Sequence, residues 1–383
     1  MPRLSVLLPT RHGGDYLEAC VRSALQPGAN VELVVSDNAN DDATPAILDR
    51  FAGDPRLVRL RQDELLSVTQ NWNATLEAST GDYLLMIGDD DLLRPGYFDA
   101  LESELSRWDE PECLTHNGIR FIEASAVAGR SEARWARPYF PLDAARFPPG
   151  PLSPALRREL VEEFFTLRFA FPLTMQVTLV ARQVLQRLPR GLFNSPFPDH
   201  YGLGALLLRA RTWALTPIEP IIIGVSEKSF GHYFLSADDA GGLEYLGVRG
   251  ERSGELPGSE VLNTQVAWLG ELRDDFTELA EVDVDRGAYV LRQIWTWARQ
   301  RRRGAIGTGA LLRRLRLLGA RDTAAAVRTL ASGHVLGAVR SALGREWAGS
   351  DRAAPLDATL RTVPPDVRRI DEFSAWLQRS AAA

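Results

Sequence analysis

Residues 83–95 have the sequence YLLMIGDDDLLRP, an apolar run that ends in three consecutive aspartates. A Gly-Asp turn signal precedes the run, and its length and composition predict a buried β-strand. Carboxylates at the carboxyl end of a strand are a common way to build a site in an α/β sheet. Three adjacent negative charges repel one another, and a divalent cation relieves that repulsion; Mg²⁺ and Mn²⁺ prefer such oxygen ligands. The stretch therefore predicts a metal or substrate site, with a helix cap or a polar turn as the structural alternative.

Strand and helix patterns alternate through residues 4–110. Strands are predicted at residues 4–8, 31–35, 57–60 and 83–87, and helices at 15–25, 46–51 and 67–79. Such alternation favours a parallel sheet with helices on both faces. We therefore predict an α/β fold with a Rossmann-like, mainly parallel sheet.

The rest of the chain changes character twice. One or two strands are predicted within residues 114–121 and another at 221–223, with a long loop at 127–154 and helices at 156–169 and around 205–208. Residues 241–259 are glycine-rich and predict a linker, and apolar spacing after residue 260 predicts helices. The expected domains are 1–240, the α/β domain, and 260–383, a mostly helical C-terminal domain.

Composition sets limits on the class of protein. The 383 residues suffice for two domains, and 45% hydrophobic with 25% charged residues is an ordinary globular balance. Two cysteines without metal or redox spacing favour a reducing compartment. The N-terminus does not have the pattern of a signal peptide, and no apolar run approaches the roughly 20 residues that span a bilayer. We expect a cytoplasmic protein, with the inner membrane surface as an alternative.

Polar residues follow three of the predicted strands. The first strand ends in Thr10 and Arg11, the second in residues 36–44, which include Asp37, and the fourth in the aspartate triplet. The carboxyl ends of parallel strands lie at one edge of a sheet, so these side chains are expected to meet there.

Four segments resemble the family 2 glycosyltransferases, a large group with the GT-A fold. LSVLLPT at 4–10 is similar to the family's opening strand, and VVSDNANDDAT at 34–44 to its second motif. NWN at 71–73 resembles part of an Asn/Arg-bearing helix, and DDDLLRP at 89–95 the DxD region with its trailing proline. The resemblance covers residues 1–235 and implies an inverting, hexosyltransferase-type enzyme that uses Mg²⁺ or Mn²⁺ and a UDP- or dTDP-sugar donor.

The resemblance also implies where the nucleotide binds. Pro9, Thr10 and Arg11 at the end of the first strand would contact it, together with Asp37 and Asn71. A carboxylate at position 37 can accept the imide N–H of uracil or thymine.

Counting back from the trailing proline, Asp90 matches the family's metal-binding aspartate. Asp89 then matches its neighbour, which contacts ribose or metal, and Asp91 is a further metal ligand or a helix cap. Gly88 stands where many members carry the first aspartate of the motif, which leaves the division of roles within the triplet open.

Three residues beyond the first 100 complete the predicted site. Asp199 resembles the acidic residue at the start of the acceptor-side helix and is the candidate general base for inversion, with a helix N-cap as the alternative. By the same resemblance, His232 is a candidate metal ligand, and Lys228, the chain's one lysine, a candidate phosphate contact. Surface positions are the structural alternative for both.

The C-terminal part is strongly basic. Residues 286–345 contain thirteen arginines and one acid, a net charge of +12, whereas the whole chain carries −6. Solvated arginine faces of a helical domain, peripheral membrane contact and a homo-oligomer interface are the alternatives, and nucleic acid is not an expected partner. The acceptor is left open among a glycan, a lipid-linked sugar, a natural product and a peptide.

Three other function classes fit the sequence less well. A nucleotidyltransferase also uses strand-end carboxylates and Mg²⁺, but it usually carries a Gly-rich basic loop after the first strand, and PTRHGG at 9–14 matches this weakly. A nucleotide-sugar-binding relative without turnover is supported by Gly88 alone. A dinucleotide-dependent dehydrogenase is disfavoured because no G-x-G-x-x-G follows the first strand.

Overall fold

The computed structural model describes residues 3–126, 131–139, 145–167, 173–229, 246, 255–331 and 360–382. The chain forms two compact units. The first contains residues 1–158, 171–248 and 360–383, and the second contains residues 159–170 and 249–359. Two segments thus differ from the predicted boundaries: 360–383, expected in the helical domain, belongs to the first unit, and 159–170, expected in the α/β domain, to the second.

An eight-stranded sheet forms the centre of the first unit, in the order β3-β2-β1-β4-β10-β6-β11-β9. Its strands are β1 (Leu4–Thr10), β2 (Val31–Asp37), β3 (Leu57–Arg61), β4 (Tyr83–Met86), β6 (Cys113–Thr115), β9 (Gly150–Pro151), β10 (Thr178–Ala181) and β11 (Trp213–Leu215). The first four are mutually parallel, whereas β10 runs antiparallel to both β4 and β6. The predicted mainly parallel sheet is thus present in residues 4–86, and the whole sheet is mixed.

The first strand continues through Pro9, two residues past the predicted end. The carbonyl of Leu7 faces β4 and accepts from the backbone N–H of Ile87. The carbonyl of Thr10 faces β2 and accepts from the backbone N–H of Asn38. Pro9 shares the orientation of Leu7, but the pairing with β4 stops at Leu7. The missing N–H of Pro9 therefore breaks no bond of the sheet, which is why a proline is tolerated there.

A second, five-stranded sheet has the order β13-β8-β7-β12-β5. Its strands are β5 (Leu92–Leu93), β7 (Ile119–Ile122), β8 (Arg134–Ala136), β12 (Ile221–Val225) and β13 (Arg361–Thr362). The strand β5 directly follows the aspartate triplet and pairs antiparallel with β12. This pairing ties the triplet to a strand that lies about 130 residues later in the chain.

Helices of the first unit cover the sheets with their apolar faces. They are α1 (Leu17–Ala24), α2 (Thr44–Asp49), α3 (Val68–Glu77), α4 (Tyr97–Arg107), α5 (Pro154–Phe165, which continues into the second unit), α6 (Pro198–Arg209) and, near the C-terminus, Ile370–Ala382. A capping box starts α3, since Ser67 and Gln70 each bond the other's backbone N–H, a signature legible in the sequence.

The C-terminal segment packs against the second sheet through aromatic side chains. Phe373 is fully buried and stacks on Phe121 of β7 at a centroid distance of 4.6 Å. Trp376 contacts both Phe373 and Trp135, at 5.7 and 5.9 Å. Strand β13 adds to the edge of the same sheet by pairing with β8. The segment is therefore an integral part of the first unit.

The second unit is helical in its described parts, as the sequence predicted. Its helices are α7 (Glu260–Asp275), α8 (Arg286–Arg302), α9 (Thr308–Leu315) and α10 (Ala320–Ala331). Buried Asn263, Tyr289 and Gln293 hydrogen-bond one another between α7 and α8. Nowhere in the described residues is there a helix with the length and hydropathy needed to cross a bilayer.

Candidate active site

The ends of β1, β2 and β4 meet, as their parallel arrangement predicts. Thr10 donates its hydroxyl to Asp89 Oδ2 at 2.6 Å, and its carbonyl accepts from Asn40 Nδ2 at 3.1 Å. Asn40 also donates to Asp37 Oδ1 at 2.8 Å. One continuous network thus links Asp37 to Asp89 through Asn40 and Thr10, so the two acidic strand ends share one edge of the sheet. Asn40 is a member of this network that the sequence did not single out.

The three aspartates have different surroundings. Asp89 is half-buried and accepts from Thr10 and from the backbone N–H of Arg11. Asp90 is 8% exposed and accepts from the Ser226 hydroxyl at 2.8 Å. Asp91 is 1% exposed, and each of its oxygens accepts a backbone N–H, from Gly88 at 2.7 Å and from Gly224 at 3.0 Å. Asp91 thus fastens the turn after β4 to β12.

Asp91 therefore does not cap the helix that follows it. The next helix, α4, begins at Tyr97, and its N-cap is Gly96, which makes no side-chain cap bond. A side chain at position 88 would meet these carboxylates, because a Cβ built on Gly88 lies 3.0 Å from Asp90 Oδ1 and 3.3 Å from Asp91 Oδ2. The glycine at 88 leaves room for the two aspartates that follow.

Burial raises the pKa of all three carboxyls. For Asp90 the pKa is well above its usual range, because desolvation acts together with the charges of Asp91 and Asp89. Desolvation raises the pKa of Asp91 to about 7, although its two backbone partners oppose the shift. The pKa of Asp89 is also raised by desolvation, against the Thr10 hydrogen bond and the charge of Lys228. Clustered anions of this kind favour a bound cation.

Asp37 lies fully buried beneath two arginines of β3. Arg61 Nη1 is 2.8 Å from each of its carboxylate oxygens, and Arg59 Nη2 is 3.6 Å from Oδ2. The Arg61 side chain is 46% exposed. The carboxylate of Asp37, which was predicted to contact the nucleotide, is therefore covered by Arg61, and Arg61 itself is exposed to solvent. The sequence did not point to either arginine.

The loop after β1 packs closely against Asp89. A Cβ built on Gly13 would lie 2.4 Å from Asp89 Oδ2 and 2.5 Å from Thr10 Oγ1, so only glycine fits without movement. Lys228 donates to the His12 carbonyl at 2.7 Å and lies 3.5 Å from Asp15. The predicted phosphate contact thus lies beside this loop. Arg11 turns towards β2 and donates to the carbonyls of residues 38 and 39.

Tyr16 connects the same loop to the C-terminal segment. Its hydroxyl donates to the buried Glu123 at 2.8 Å, and its ring lies 5.6 Å from Lys228 Nζ and 5.4 Å from the Arg369 guanidinium. Arg369 also donates to the Asp15 carbonyl. Sequence reasoning missed this group, because its members are separated by more than 100 residues and have no local motif.

The remaining predicted residues fall into three places. Asn71 is buried and accepts from Ser36 at 2.7 Å, behind the end of β2. Asp199 is half-buried in the first turn of α6, whose N-cap is Phe197 and makes no side-chain cap bond, so Asp199 is not the N-cap. His232 lies outside the described residues, as do residues 127–130 and 140–144 of the predicted loop at 127–154. The described part of that loop contains strands β8 and β9, which the sequence did not predict.

The segment that leads into α6 is anchored to α3. Asn73 donates to the Phe193 carbonyl at 3.0 Å, and Trp72 packs edge-on against the Phe193 ring at 5.2 Å. Asn71 and Asn73 therefore serve different faces of α3, as their spacing of two predicts. Tyr139 is close enough to both Asp91 and Asp199 for each carboxylate to raise its pKa, after the larger effect of burial.

Among the described residues, no group of three or more His, Cys, Asp and Glu side chains is arranged to hold a metal ion. Because both carboxylate oxygens of Asp91 accept backbone N–H groups, the carboxylates of Asp89 and Asp90 are the candidate metal ligands of the triplet. Mg²⁺ is commonly held by one or two carboxylates together with substrate phosphates.

Two curated proteins resemble part of this chain. Among curated proteins, it is 33% identical over 128 residues to the uncharacterized protein MT1568 of Mycobacterium tuberculosis, 33% of this chain and 39% of that protein. It is 30% identical over 110 residues to the succinoglycan biosynthesis protein ExoO of Rhizobium meliloti, 28% of this chain and 30% of ExoO. The chain thus spans between 30% and 39% of these relatives' lengths.

Solved structures match at low identity. The S. aureus TarS fragment 1–349 in complex with UDP-GlcNAc has 13% identity and a TM-score of 0.48, with 76% of this chain and 86% of that chain covered. The mannosyltransferase PcManGT of Pyrobaculum calidifontis, in complex with GDP-Man and Mn²⁺, has 16% identity and a TM-score of 0.39, with 73% and 75% covered.

The family model for glycosyl transferase family 2 matches residues 5–149, which contain β1 to β4 and the aspartate triplet. This match agrees with the GT-A-type α/β architecture and with the resemblance of the four sequence segments. Residues 5–149 are therefore similar to glycosyl transferase family 2.

Proposed function

We propose that the protein is a metal-dependent, inverting glycosyltransferase that moves a sugar from a UDP- or dTDP-linked donor to an acceptor nucleophile. The observation that carries the proposal is the network from Asp37 through Asn40 and Thr10 to Asp89. The network connects Asp37, the proposed nucleobase contact, to Asp89, which is followed directly by Asp90. Both ends lie at the edge where α/β sheets bind ligands.

Asp89 and Asp90 are the proposed ligands of Mg²⁺ or Mn²⁺. Both supply hard oxygen atoms, and burial raises the pKa of both carboxyls, with the charges of Asp91 and Asp89 adding to the shift at Asp90, so a cation at this place would be stabilising. The ion, when bound, neutralises negative charge that develops on the leaving diphosphate. Asp91 keeps the turn in place, and Lys228, beside Asp89, is the proposed phosphate contact.

Asp37 is the proposed contact for the nucleobase. Its carboxylate can accept an imide N–H of uracil or thymine. Because Arg61 covers it and is itself nearly half exposed, we expect Arg61 to move aside when the base binds.

Asp199 is the proposed general base. Inversion by direct displacement needs an acceptor-side carboxylate that removes the proton of the attacking nucleophile. The segment that leads into α6 is held by α3 through the hydrogen bond from Asn73 to the Phe193 carbonyl, which supports a fixed position for such a base. Removal of the proton leaves the nucleophile's lone pair to attack the sugar carbon as the diphosphate departs.

The first experiment measures UDP binding by calorimetry with and without Mn²⁺. We expect Mn²⁺ to strengthen UDP binding by the wild type and to have no effect on UDP binding by the Asp90→Asn variant. The matched control is Asp99→Asn, which alters an exposed aspartate of α4. Binding that is indifferent to Mn²⁺ in the wild type would refute the metal proposal.

The second experiment separates donor binding from transfer. Asp199→Asn should retain UDP affinity and lose at least about a hundredfold in transfer rate, the usual range for a general base. Undiminished transfer by this variant would remove Asp199 as the base. Transfer to a hydroxyl acceptor also distinguishes the enzyme from a nucleotidyltransferase, whose product keeps the nucleotide.

A further inference from the structure

Five large apolar side chains are exposed close together in the sequence of the second unit. Leu312, Leu317 and Val327 are 50%, 57% and 58% exposed, and Leu315 and Leu330 are 37% and 36% exposed. Among the described residues, the other large apolar side chain with comparable exposure is Leu65, in the first unit. Scattered exposed leucines are ordinary, whereas a concentration within 19 residues indicates a surface that binds something.

The local structure explains why these side chains point outward. Helix α9 buries none of its residues. At 100° per residue, its leucines 311, 312 and 315 lie within one arc of the helix, and arginines 313 and 314 lie on either side of that arc.

The second helix of the surface has one packed side. Ala326 and Thr329 of α10 are buried, and a Cβ on Gly287 of α8 would touch the Thr329 hydroxyl, so this side of α10 faces α8. Val327 and Leu330 remain on the solvent side.

The charge around the leucines has one sign. Arg313, Arg316, Arg321 and Arg328 are exposed in the same two helices and their connection. The one acid of residues 286–345, Asp322, is largely buried and bonded to Arg286 at 2.8 Å. The arginine–leucine surface, defined as residues 312–330, therefore combines exposed apolar side chains with positive charge, and the described residues between 286 and 331 contain no exposed acid.

We propose that the arginine–leucine surface docks on an anionic lipid bilayer. Amphipathic helices with basic flanks bind in the plane of such membranes, with apolar side chains in the acyl boundary and arginines at the headgroups. Each arginine near an anionic surface adds to the attraction, which salt screens. Nucleic acid would use the arginines but leave the leucines in water, so the combined chemistry favours a lipid surface. This proposal does not depend on the proposed transfer reaction.

The test is co-sedimentation of the full chain with vesicles of phosphatidylcholine containing 30% phosphatidylglycerol, against vesicles of phosphatidylcholine alone. We expect binding to the anionic vesicles that weakens at least tenfold between 50 mM and 500 mM salt. The apolar variant Leu312→Ser/Leu317→Ser/Val327→Ser and the charge variant Arg313→Gln/Arg316→Gln/Arg328→Gln should each lower the partition coefficient at least tenfold.

Leu65→Ser is the matched control for the apolar variant, since it removes an equally exposed leucine elsewhere, and Arg368→Gln is the control for charge. Both should bind vesicles like the wild type. Circular dichroism verifies that each variant is folded. Absence of wild-type binding, binding as strong as that of the wild type by either triple variant, or a dimer in light scattering that only the apolar variant loses would each overturn the proposal. UDP affinity should be the same in all these variants, so failure here is distinct from failure of the proposed function.

Discussion

His116 offers a direct test of how burial shapes this protein. It follows β6 and is 2% exposed. Its Nδ1 lies 2.6 Å from the Asn117 carbonyl, so Nδ1 carries the proton, and Nε2 accepts from the Tyr97 hydroxyl at 3.2 Å. Burial lowers the pKa of His116 from 6.5 to about 4, against the opposing hydrogen bond to Asn117. The folded protein therefore prefers the neutral ring.

The sign and size of the effect follow from linkage. A histidine with a lowered pKa in the folded state stabilises the fold above pH 6.5 and loses that contribution as the pH falls towards 4. A difference of 2.5 between the two pKa values corresponds to about 3 kcal/mol at the acidic limit. Between pH 7.5 and pH 5.0 the loss is about 2 kcal/mol, because the unfolded ring is almost fully protonated at pH 5.0 while the folded ring is still mostly neutral.

Urea unfolding at pH 7.5 and pH 5.0 measures this loss in the wild type and in His116→Asn, whose amide can still donate to the carbonyl of residue 117. Other groups titrate over this range in both proteins. The difference between the two proteins in the unfolding free energy lost from pH 7.5 to pH 5.0 therefore gives the contribution of the His116 ring. We expect the wild type to lose about 2 kcal/mol more than the variant. Equal losses in both proteins would refute the reasoning that burial holds His116 neutral.

Three further predictions follow from packing. Gly13→Ala should weaken UDP binding about tenfold, because the added Cβ would meet the Asp89 carboxylate. Gly53→Ala is the control: a Cβ at position 53 has no atom within 4 Å, so this variant should bind UDP like the wild type. Equal calorimetric UDP affinities of the two variants would contradict the prediction. Phe373→Ala should cost about 3–5 kcal/mol in thermal unfolding, because its fully buried ring stacks on β7, and exposed Gln378→Ala should cost almost nothing; a small loss in both would show that the C-terminal helix is not anchored. Arg61→Ala should lower the free energy of unfolding, measured with urea, by about 1–3 kcal/mol, because it takes a hydrogen-bond partner from the buried aspartate of β2; an unchanged free energy of unfolding would refute that contact.

Much of the first 93 residues could be predicted from local pattern. Strands β1 to β4 and helix α3 have clear periodicity and start signals, and the boundaries differ from prediction by a few residues. The meeting of Thr10, Asp37 and Asp89 also followed, because parallel strands place their carboxyl ends at one edge. The family match over residues 5–149 rests on this same part of the chain.

The individual role of each aspartate could not be predicted in this way. Three identical side chains in a row differ only in what the fold brings to them: Thr10 to Asp89, Ser226 to Asp90, and two backbone N–H groups to Asp91. Two of these partners lie on or just after β12, about 130 residues away in sequence.

The sequence by itself determined the parallel strands, the acidic edge and the basic helices, because alternation, periodicity and charge are local properties that each segment carries alone. The tertiary structure alone decided that residues 360–382 return to the first unit and that Tyr16 joins Glu123 to Arg369. Those contacts depend on pairings across more than 100 residues, and such pairings are selected by the burial of whole faces, which no single segment specifies.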